Sequence, residues 1–215
     1  MTLVAPSILS ADFSCLKDEI NKIEKAGADW VHIDVMDGNF VPNLTFGAPV
    51  VKCLRPLTKM FFDCHLMVEH PETYIDSFVE AGADMLVVHA EATKHLHRVI
   101  ENIHAKGIKA GVALNPATSL TVIEEILPYV DMILIMSVNP GFGGQKFIPT
   151  SVRKIAKLKE LLFAINREIA IQVDGGINAE TAQAVVAAGA TVLVAGSFVF
   201  GAKAVDQAIK KLKEA

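Results

Sequence analysis

Short runs of apolar, β-branched residues recur along the chain and set its architecture. Eight read as strands, at 4–9, 30–35, 61–68, 85–89, 110–114, 132–137, 170–174 and 192–196. They are too apolar for half-exposed strands, as expected of a parallel sheet covered by helices. Between them the period becomes helical. Segment 17–25 sets Leu16, Ile20 and Ile23 on one face and stops at Gly27. Segment 71–81 opens on proline and stops at Gly82, and 96–106 stops at Gly107. Segment 179–188 follows Asn178, a good N-cap, and stops at Gly189. Ala-Gly-Ala recurs at 26–28, 81–83 and 188–190, each time where a helix gives way to a strand. It reads as structural punctuation.

This alternation, with no break in composition, predicts an α/β fold, a single (β/α)8 TIM barrel forming one domain over residues 1–215. An open doubly wound sheet is the alternative. Eight strands and short connections favour the barrel.

Composition narrows the function classes. The chain is 52% hydrophobic, enough for a sizeable core. No apolar run reaches the roughly 18 residues that span a membrane. Residues 1–12 carry no Lys or Arg and so lack the basic region of a secretory signal. The expectation is a mature, soluble, cytoplasmic protein, or a stromal one if it is a processed plastid form. Net charge is −4 with scattered basic residues. Lys210, Lys211 and Lys213 have helical spacing and read as a solvated helix face, so neither nucleic acid nor a membrane is expected as partner. Cys15, Cys53 and Cys64 are odd in number and unpaired in spacing, which argues for a reducing compartment.

A barrel places its chemistry at the C-terminal strand ends, and strand parity says which side chains meet there. His32, Asp34 and Met36 share one face of the second strand. His65 and Met67 share a face of the third, and Asp174 closes the seventh before Gly175 and Gly176. Any one of these can be an ordinary core or capping residue. Together they offer two imidazoles and two carboxylates to one mouth, a set that suits Zn2+, Fe2+, Mn2+ or Co2+. His89 ends the fourth strand and is ambiguous, either supporting the site or simply lining it. His70, His95, His97 and His104 fall in polar helical stretches or entries and carry no role. Glycines also crowd three neighbouring strand ends: Gly141, Gly143 and Gly144 after the sixth, Gly175 and Gly176 after the seventh, Gly196 with Ser197 after the eighth. Backbone N–H groups can approach a phosphate closely there, although a flexible lid explains the first group equally well. No Gly-Lys-Ser/Thr follows, so this is not a nucleotide P-loop. Met36, Met67 and Met136 share the inward parity, as pocket lining or as core filling.

Several phrases, taken as a set, resemble the ribulose-phosphate 3-epimerase family. They are Ala5-Pro-Ser-Ile-Leu-Ser-Ala-Asp-Phe13, His32-Ile-Asp-Val-Met-Asp-Gly-Asn-Phe40, Asp63-Cys-His-Leu-Met-Val68, Asn139-Pro-Gly-Phe-Gly-Gly-Gln145, Asp174-Gly-Gly-Ile177 and Gly196-Ser197. The resemblance runs almost the full length. It implies a ribulose-phosphate-binding barrel that interconverts D-ribulose 5-phosphate and D-xylulose 5-phosphate, in the pentose phosphate or Calvin pathways. It implies one divalent metal, zinc among the candidates, on His32, Asp34, His65 and Asp174, with Asp34 and Asp174 as the acid/base pair around a metal-stabilised enediolate. It further implies that Ser7 and His65 contact substrate, that Gly141, Phe142, Gly143 and Gly144 cover it, and that Gly175, Gly176, Gly196 and Ser197 receive its phosphate. It implies a homo-oligomer, and it raises the pocket reading of the three methionines.

Rival chemistries can be weighed on the same positions. An epimerase for a six-carbon ketose phosphate would use the same residues. Barrel lyases and decarboxylases of this type carry a catalytic Lys where this chain has His65, and a Schiff-base aldolase would need a strand-end Lys that none of the eight runs supplies. A catalytically silent sugar-phosphate binder would have no need of all four metal-type residues.

Overall fold

The computed structural model describes residues 2–215. Its eight strands are β1 (Leu3–Ala5), β2 (Trp30–Met36), β3 (Phe61–Met67), β4 (Met85–His89), β5 (Lys109–Leu114), β6 (Met132–Met136), β7 (Ala170–Asp174) and β8 (Val192–Val194). All hydrogen-bonded neighbours run parallel, in the order β1-β8-β7-β6-β5-β4-β3-β2. The two ends of that order meet. Asp29 N–H donates to the Val4 carbonyl at 3.0 Å and His32 N–H to the Pro6 carbonyl at 3.1 Å. The sheet is therefore a nearly closed barrel with its seam between β1 and β2, the architecture expected from the strand count.

The crossovers carry α1 (Leu16–Lys25), α2 (Ala48–Leu54), α3 (Ile75–Glu80), α4 (Leu96–Ala105), α5 (Thr150–Ala164), α6 (Ala179–Ala187), α7 (Ser197–Phe200) and α8 (Val205–Lys213). α1 buries Ile20 and Ile23, as the spacing predicts. α6 starts on a capping box made by Asn178 and Thr181. α8 buries Val205, Ala208, Ile209 and Leu212 and turns Lys210 and Lys211 to solvent. Lys213 is not free: it reaches Asp29 at the foot of β2, 2.8 Å away.

Several bounds differ from the pattern. β1 ends at Ala5 rather than at 9. Pro6 has no N–H for the ladder, and Ser7 turns the chain by capping the 3-10 turn Ile8–Ser10. The strands expected at 61–68, 132–137 and 192–196 stop one or two residues early, at Met67, Met136 and Val194. The helix expected at 71–81 divides at Tyr74 into the 3-10 turn Pro71–Thr73 and α3, after His70 enters at a left-handed φ of 54°. The crossover from β5 to β6 is one for which the pattern names no helix. Among the described residues it holds only two 3-10 turns, Leu120–Val122 and Glu124–Tyr129. Pro128 lies inside the second, where its ring and missing N–H oppose an α-helix.

Strand alternation creates two apolar layers. Outward side chains such as Ile33, Leu66, Leu86, Ile133 and Leu193 pack beneath the helices. Inward ones such as Met85, Val87, Met132, Leu134, Val192 and Val194 fill the barrel. The interior is interrupted on one side, where β2 and β3 pair His32 with Asp63 and Asp34 with His65. That polar patch faces the C-terminal mouth.

The register of β3 is held from below by Arg55. Its guanidinium donates to the carbonyls of Thr58 and Met60 at 2.7 and 2.8 Å and to Asp84 at 2.8 Å. It also sits 3.9 Å over the Phe62 ring. The Asp84 carboxylate is 41% exposed, so that ion pair adds little, and the carbonyl bonds and ring contact dominate. Arg55→Met is expected to lower stability by about 1–3 kcal/mol in denaturant unfolding, since two carbonyls lose a charged donor. An unchanged midpoint would show that Arg55 does not brace this edge.

Candidate active site

Each of His32, Asp34, His65 and Asp174 offers a ligand atom, and those four atoms lie within 4.8 Å of one another. Parity brings them there: β2 turns its positions 32 and 34 inward, β3 its position 65, and β7 its last residue. His32, Asp34 and His65 are buried. Asp34 Oδ1 is 3.1 Å from His65 Nδ1 and 3.3 Å from His32 Nε2. The second contact lacks hydrogen-bond alignment and leaves His32 Nε2 a buried nitrogen with no partner among the described residues. An unpartnered ring nitrogen facing two carboxylates and a second imidazole suits a divalent cation.

Other buried groups fix the orientation of this set. His32 Nδ1 donates to Asp63 Oδ2 at 2.8 Å, and Gln172 Nε2 donates to the same oxygen at 2.5 Å. That bond turns His32 Nε2 toward the site. The Ser7 hydroxyl donates to Asp34 Oδ2 at 2.5 Å. Thr45 donates to the Asp34 carbonyl at 2.6 Å and accepts from Met36 N–H at 3.0 Å, fixing the end of β2. Ser137 donates to the carbonyls of Asp174 and Gly175, at 2.9 and 2.7 Å, and does the same for β7. On the far side, His65 Nε2 lies 2.8 Å from His89 Nε2, and His89 Nδ1 lies 3.2 Å from Glu91.

Asp63 and Gln172 carry no role in the sequence reading, although parity marks both. Asp63 shares its face with His65, and Gln172 shares its face with Asp174. A polar residue at an inward position next to a candidate ligand was the available signal. For Glu91 there was none, because its partners come from a different loop.

The electrostatics separate the two carboxylates. Burial pushes Asp34 up, but His32 and His65, through charge and hydrogen bonds, outweigh it and hold the group well below the usual carboxylate range. Among the described residues Asp174 has no such donors. Burial and the neighbouring negative charge of Asp34 raise it to about 7. Burial also presses His32 down, but Asp34 and Asp63 reverse this and raise it well above an ordinary imidazole. His65 goes the other way, to about 4, through burial and the adjacent His89. The carboxylates here call for positive charge, which an imidazolium proton or a divalent ion can supply.

Above these groups a cleft opens at the barrel mouth. It is lined by Ser7, Asp34, Met36, Met67, Met136, Gly141, Phe142, Gly143, Gly144, Asp174, Gly175, Gly176, Gly196 and Ser197. Of the residues singled out from the sequence, His32, His65 and the ambiguous His89 do not line the cleft, and the others do. Ser10, Gln145 and Ile177 also line it and were not singled out. Gln145 donates to the carbonyls of Asn139 and Phe142, at 2.6 and 2.8 Å, which folds the glycine loop back on itself. Phe142 stays 56% exposed at its tip. At the other end, Gly175 and Gly176 adopt φ of 119° and 64°. A Cβ on Gly175 would lie 2.5 Å from Val138, and one on Gly176 would lie 2.7 Å from the Phe147 backbone nitrogen. Only backbone fits there.

This geometry can be set beside known proteins. Residues 3–200 match the ribulose-phosphate 3 epimerase family. The chain belongs to that family. It is 52% identical over 214 residues to the ribulose-phosphate 3-epimerase of Bacillus subtilis (strain 168), covering 99% of each chain. It is 51% identical over 213 residues to the chloroplastic ribulose-5-phosphate-3-epimerase of Arabidopsis thaliana, covering 98% of this chain and 76% of that one. Among solved structures, a 3-hexulose-6-phosphate synthase superposes with a TM-score of 0.72 at 21% identity, covering 100% of this chain and 99% of the other. A tryptophan synthase α-subunit from Pyrococcus furiosus superposes with a TM-score of 0.73 at 15% identity, covering 99% and 96%. At those identities the likeness is one of fold. No helix among the described residues is long and apolar enough to cross a membrane.

The raised Asp174 carboxyl has a consequence for stability. Its folded value of about 7 exceeds the ordinary 3.8. The contribution is therefore fully present below about pH 4 and is lost as pH rises through about 7. Asp174→Asn carries no such charge. In chelator-treated protein the variant is expected to match wild type near pH 4 and to exceed it increasingly up to pH 7–8. The gain at the upper end should be roughly 1–4 kcal/mol, the linkage energy of a carboxyl displaced this far. Denaturant midpoints across that range test it, and a constant difference at all pH values would contradict the assignment.

Proposed function

We propose that the chain catalyses reversible epimerisation at C3 of D-ribulose 5-phosphate to give D-xylulose 5-phosphate, with the single barrel domain over 1–215 carrying the site. Family membership supports the reaction. The observation that carries it onto these residues is the pair of carboxylates in one pocket, Asp34 held ionised and Asp174 raised to about 7.

In this reading His32, Asp34, His65 and Asp174 hold one divalent ion of the zinc, iron, manganese or cobalt class. The mixed nitrogen and oxygen donors and the unpartnered His32 Nε2 support that assignment. When bound, such an ion supplies Lewis acidity, lowering the cost of negative charge on the oxygens beside the reacting carbon.

The chain's own residues manage the proton. The hydrogen at C3 is acidic only because C2 is a carbonyl, and its removal leaves an enediolate. Asp34 and Asp174 approach the cleft from β2 and β7. A substrate between them presents opposite faces of C3 to the two carboxyls. One removes the proton and the other, protonated beforehand, returns a proton to the opposite face, so the centre inverts. The unequal environments favour one protonated and one ionised carboxyl at the start of each turnover. In the reverse direction the roles exchange.

Ser7 holds Asp34 by its hydroxyl and lies where a substrate hydroxyl would meet it. Met36, Met67 and Met136 give the reacting carbons an apolar, polarisable floor. The 141–144 loop, with Phe142 at its tip, covers the substrate and excludes water. Backbone at Gly175, Gly176, Gly196 and Ser197 receives the phosphate.

A coupled assay with D-ribulose 5-phosphate tests this on metal-loaded wild type, Asp34→Asn and Asp174→Asn. Each substitution is expected to cost roughly 10²–10⁴-fold or more in kcat, the usual share of a positioned acid or base, while the fold persists. A wild type that turned over only a six-carbon ketose phosphate would sink the pentose assignment. Retained activity in either variant would sink the two-carboxylate mechanism. Gly176→Ala forces a Cβ into the Phe147 backbone. It should raise KM for the phosphorylated sugar by roughly tenfold or more, with a smaller effect on kcat, as expected where mainly ground-state binding is lost. An unchanged KM would place the phosphate elsewhere.

A further inference from the structure

His89 belongs to none of the roles above, yet it is fully buried and points into the barrel from β4. Its ring meets that of His65 edge to edge, nitrogen to nitrogen, with centroids 5.0 Å apart and planes 28° apart, and Phe40 covers it at 4.6 Å. The remaining interior positions of β4, Met85 and Val87, are apolar. An imidazole in such surroundings needs defined partners, and this one has two: His65 Nε2 at 2.8 Å and Glu91 Oε2 at 3.2 Å.

Those contacts settle where the protons sit once His65 serves as a ligand. His65 faces Asp34 with Nδ1, so a metal-binding lone pair must lie on Nδ1 and the proton on Nε2. That N–H has one acceptor in range, His89 Nε2. His89 accepts there only if its own proton is on Nδ1, and Nδ1–H then donates to Glu91. The terminal carboxylate is in turn held by Asn115 N–H at 2.8 Å and by the Thr118 hydroxyl. Burial would raise Glu91, but the hydrogen bonds from His89, Thr118 and Asn115 keep it at about 2, so the chain ends on an anion. The direction of every hydrogen bond from Glu91 back to His65 is thereby fixed.

We propose that His89, held by Glu91, is a positioning residue that locks His65 in the tautomer able to bind the metal. The inference rests on the metal reading given above. Asp63 does the corresponding work for His32, but through one carboxylate; for His65 the carboxylate stands one imidazole further out, on the loop after β4. Without an acceptor at position 89, the His65 proton would move to Nδ1 and bond to Asp34, and the lone pair would point away from the site.

The test is zinc affinity, measured by competition with a chromophoric chelator on metal-stripped wild type, Asp34→Asn, His89→Leu, His89→Gln and Glu91→Gln. His89→Leu fills the space but accepts no hydrogen bond, and its Kd for zinc is expected to rise about 10–100-fold. His89→Gln places a carbonyl oxygen within reach of the His65 N–H and should restore most of the affinity. Glu91→Gln should fall between them. Nitrogen-15 spectra of zinc-loaded wild type should show His65 protonated at Nε2. Equal zinc affinity in wild type and His89→Leu, or a His89→Gln protein as weak as His89→Leu, would overturn the proposal. If His89→Leu failed to fold, Glu91→Gln, whose side chain is partly exposed, would carry the test, and wild-type affinity there would overturn it. A wild type no tighter than Asp34→Asn would instead bring down the metal reading beneath it.

Discussion

Asp34 and Asp63 are carboxylates enclosed by protein at the centre of an otherwise apolar barrel, and Asp174 sits partly enclosed beside them. An ionised carboxylate in such a place is costly unless charge or hydrogen bonds compensate it. Much of the surrounding architecture answers that constraint. His32 stands between Asp34 and Asp63 and contacts both. Gln172 crosses from β7 to Asp63, and Ser7 crosses from the β1 end to Asp34. These bonds tie β1, β2, β3 and β7 together at the mouth, so they brace the barrel seam as well as the site. Asp174 alone is left without a donor, and it is the carboxyl whose pKa rises. Compensation that is complete for one carboxylate and withheld from another yields two groups of one chemical type with opposite protonation preferences.

The strand core of this arrangement was legible from the sequence because strand parity is a strict rule. Once β2, β3 and β7 are recognised, His32, Asp34, His65 and Asp174 have no choice of face. The glycines at 27, 82 and 189 were equally readable, since each ends a helix with a positive φ that other residues resist. Misreadings came where local chemistry overrode pattern. The apolar run after Ala5 looks like a continuing strand, but Pro6 cannot donate to the ladder and Ser7 caps a turn. Distances could not be read at all. Parity gives a face, whereas convergence of four donors needs the curvature of the closed sheet.

The supporting residues were harder to see for a related reason. Asp63 and Gln172 act one step behind the candidate ligands, and each resembles an ordinary polar residue in a strand until its partner is located. His89 and Glu91 lie further out. Glu91 belongs to a 3-10 turn after β4, and the groups that hold it, Asn115 and Thr118, follow β5. No periodicity links those positions, because the connection runs through space between neighbouring loops.

The fold alone does not select this chemistry, since two synthase barrels superpose on it at 21% and 15% identity. What distinguishes this chain is how its polar interior is populated. A Lys at position 65 would bring a positive charge of its own, easing the demand of Asp34 and Asp63 for a cation, and would turn the same mouth toward other reactions. An imidazole there remains neutral at physiological pH, because burial and His89 hold it down to about 4. A neutral ring keeps a lone pair available, and it leaves the negative charge of the carboxylates for something else to balance. The environment that depresses His65 is therefore one that suits the divalent cation proposed for this site.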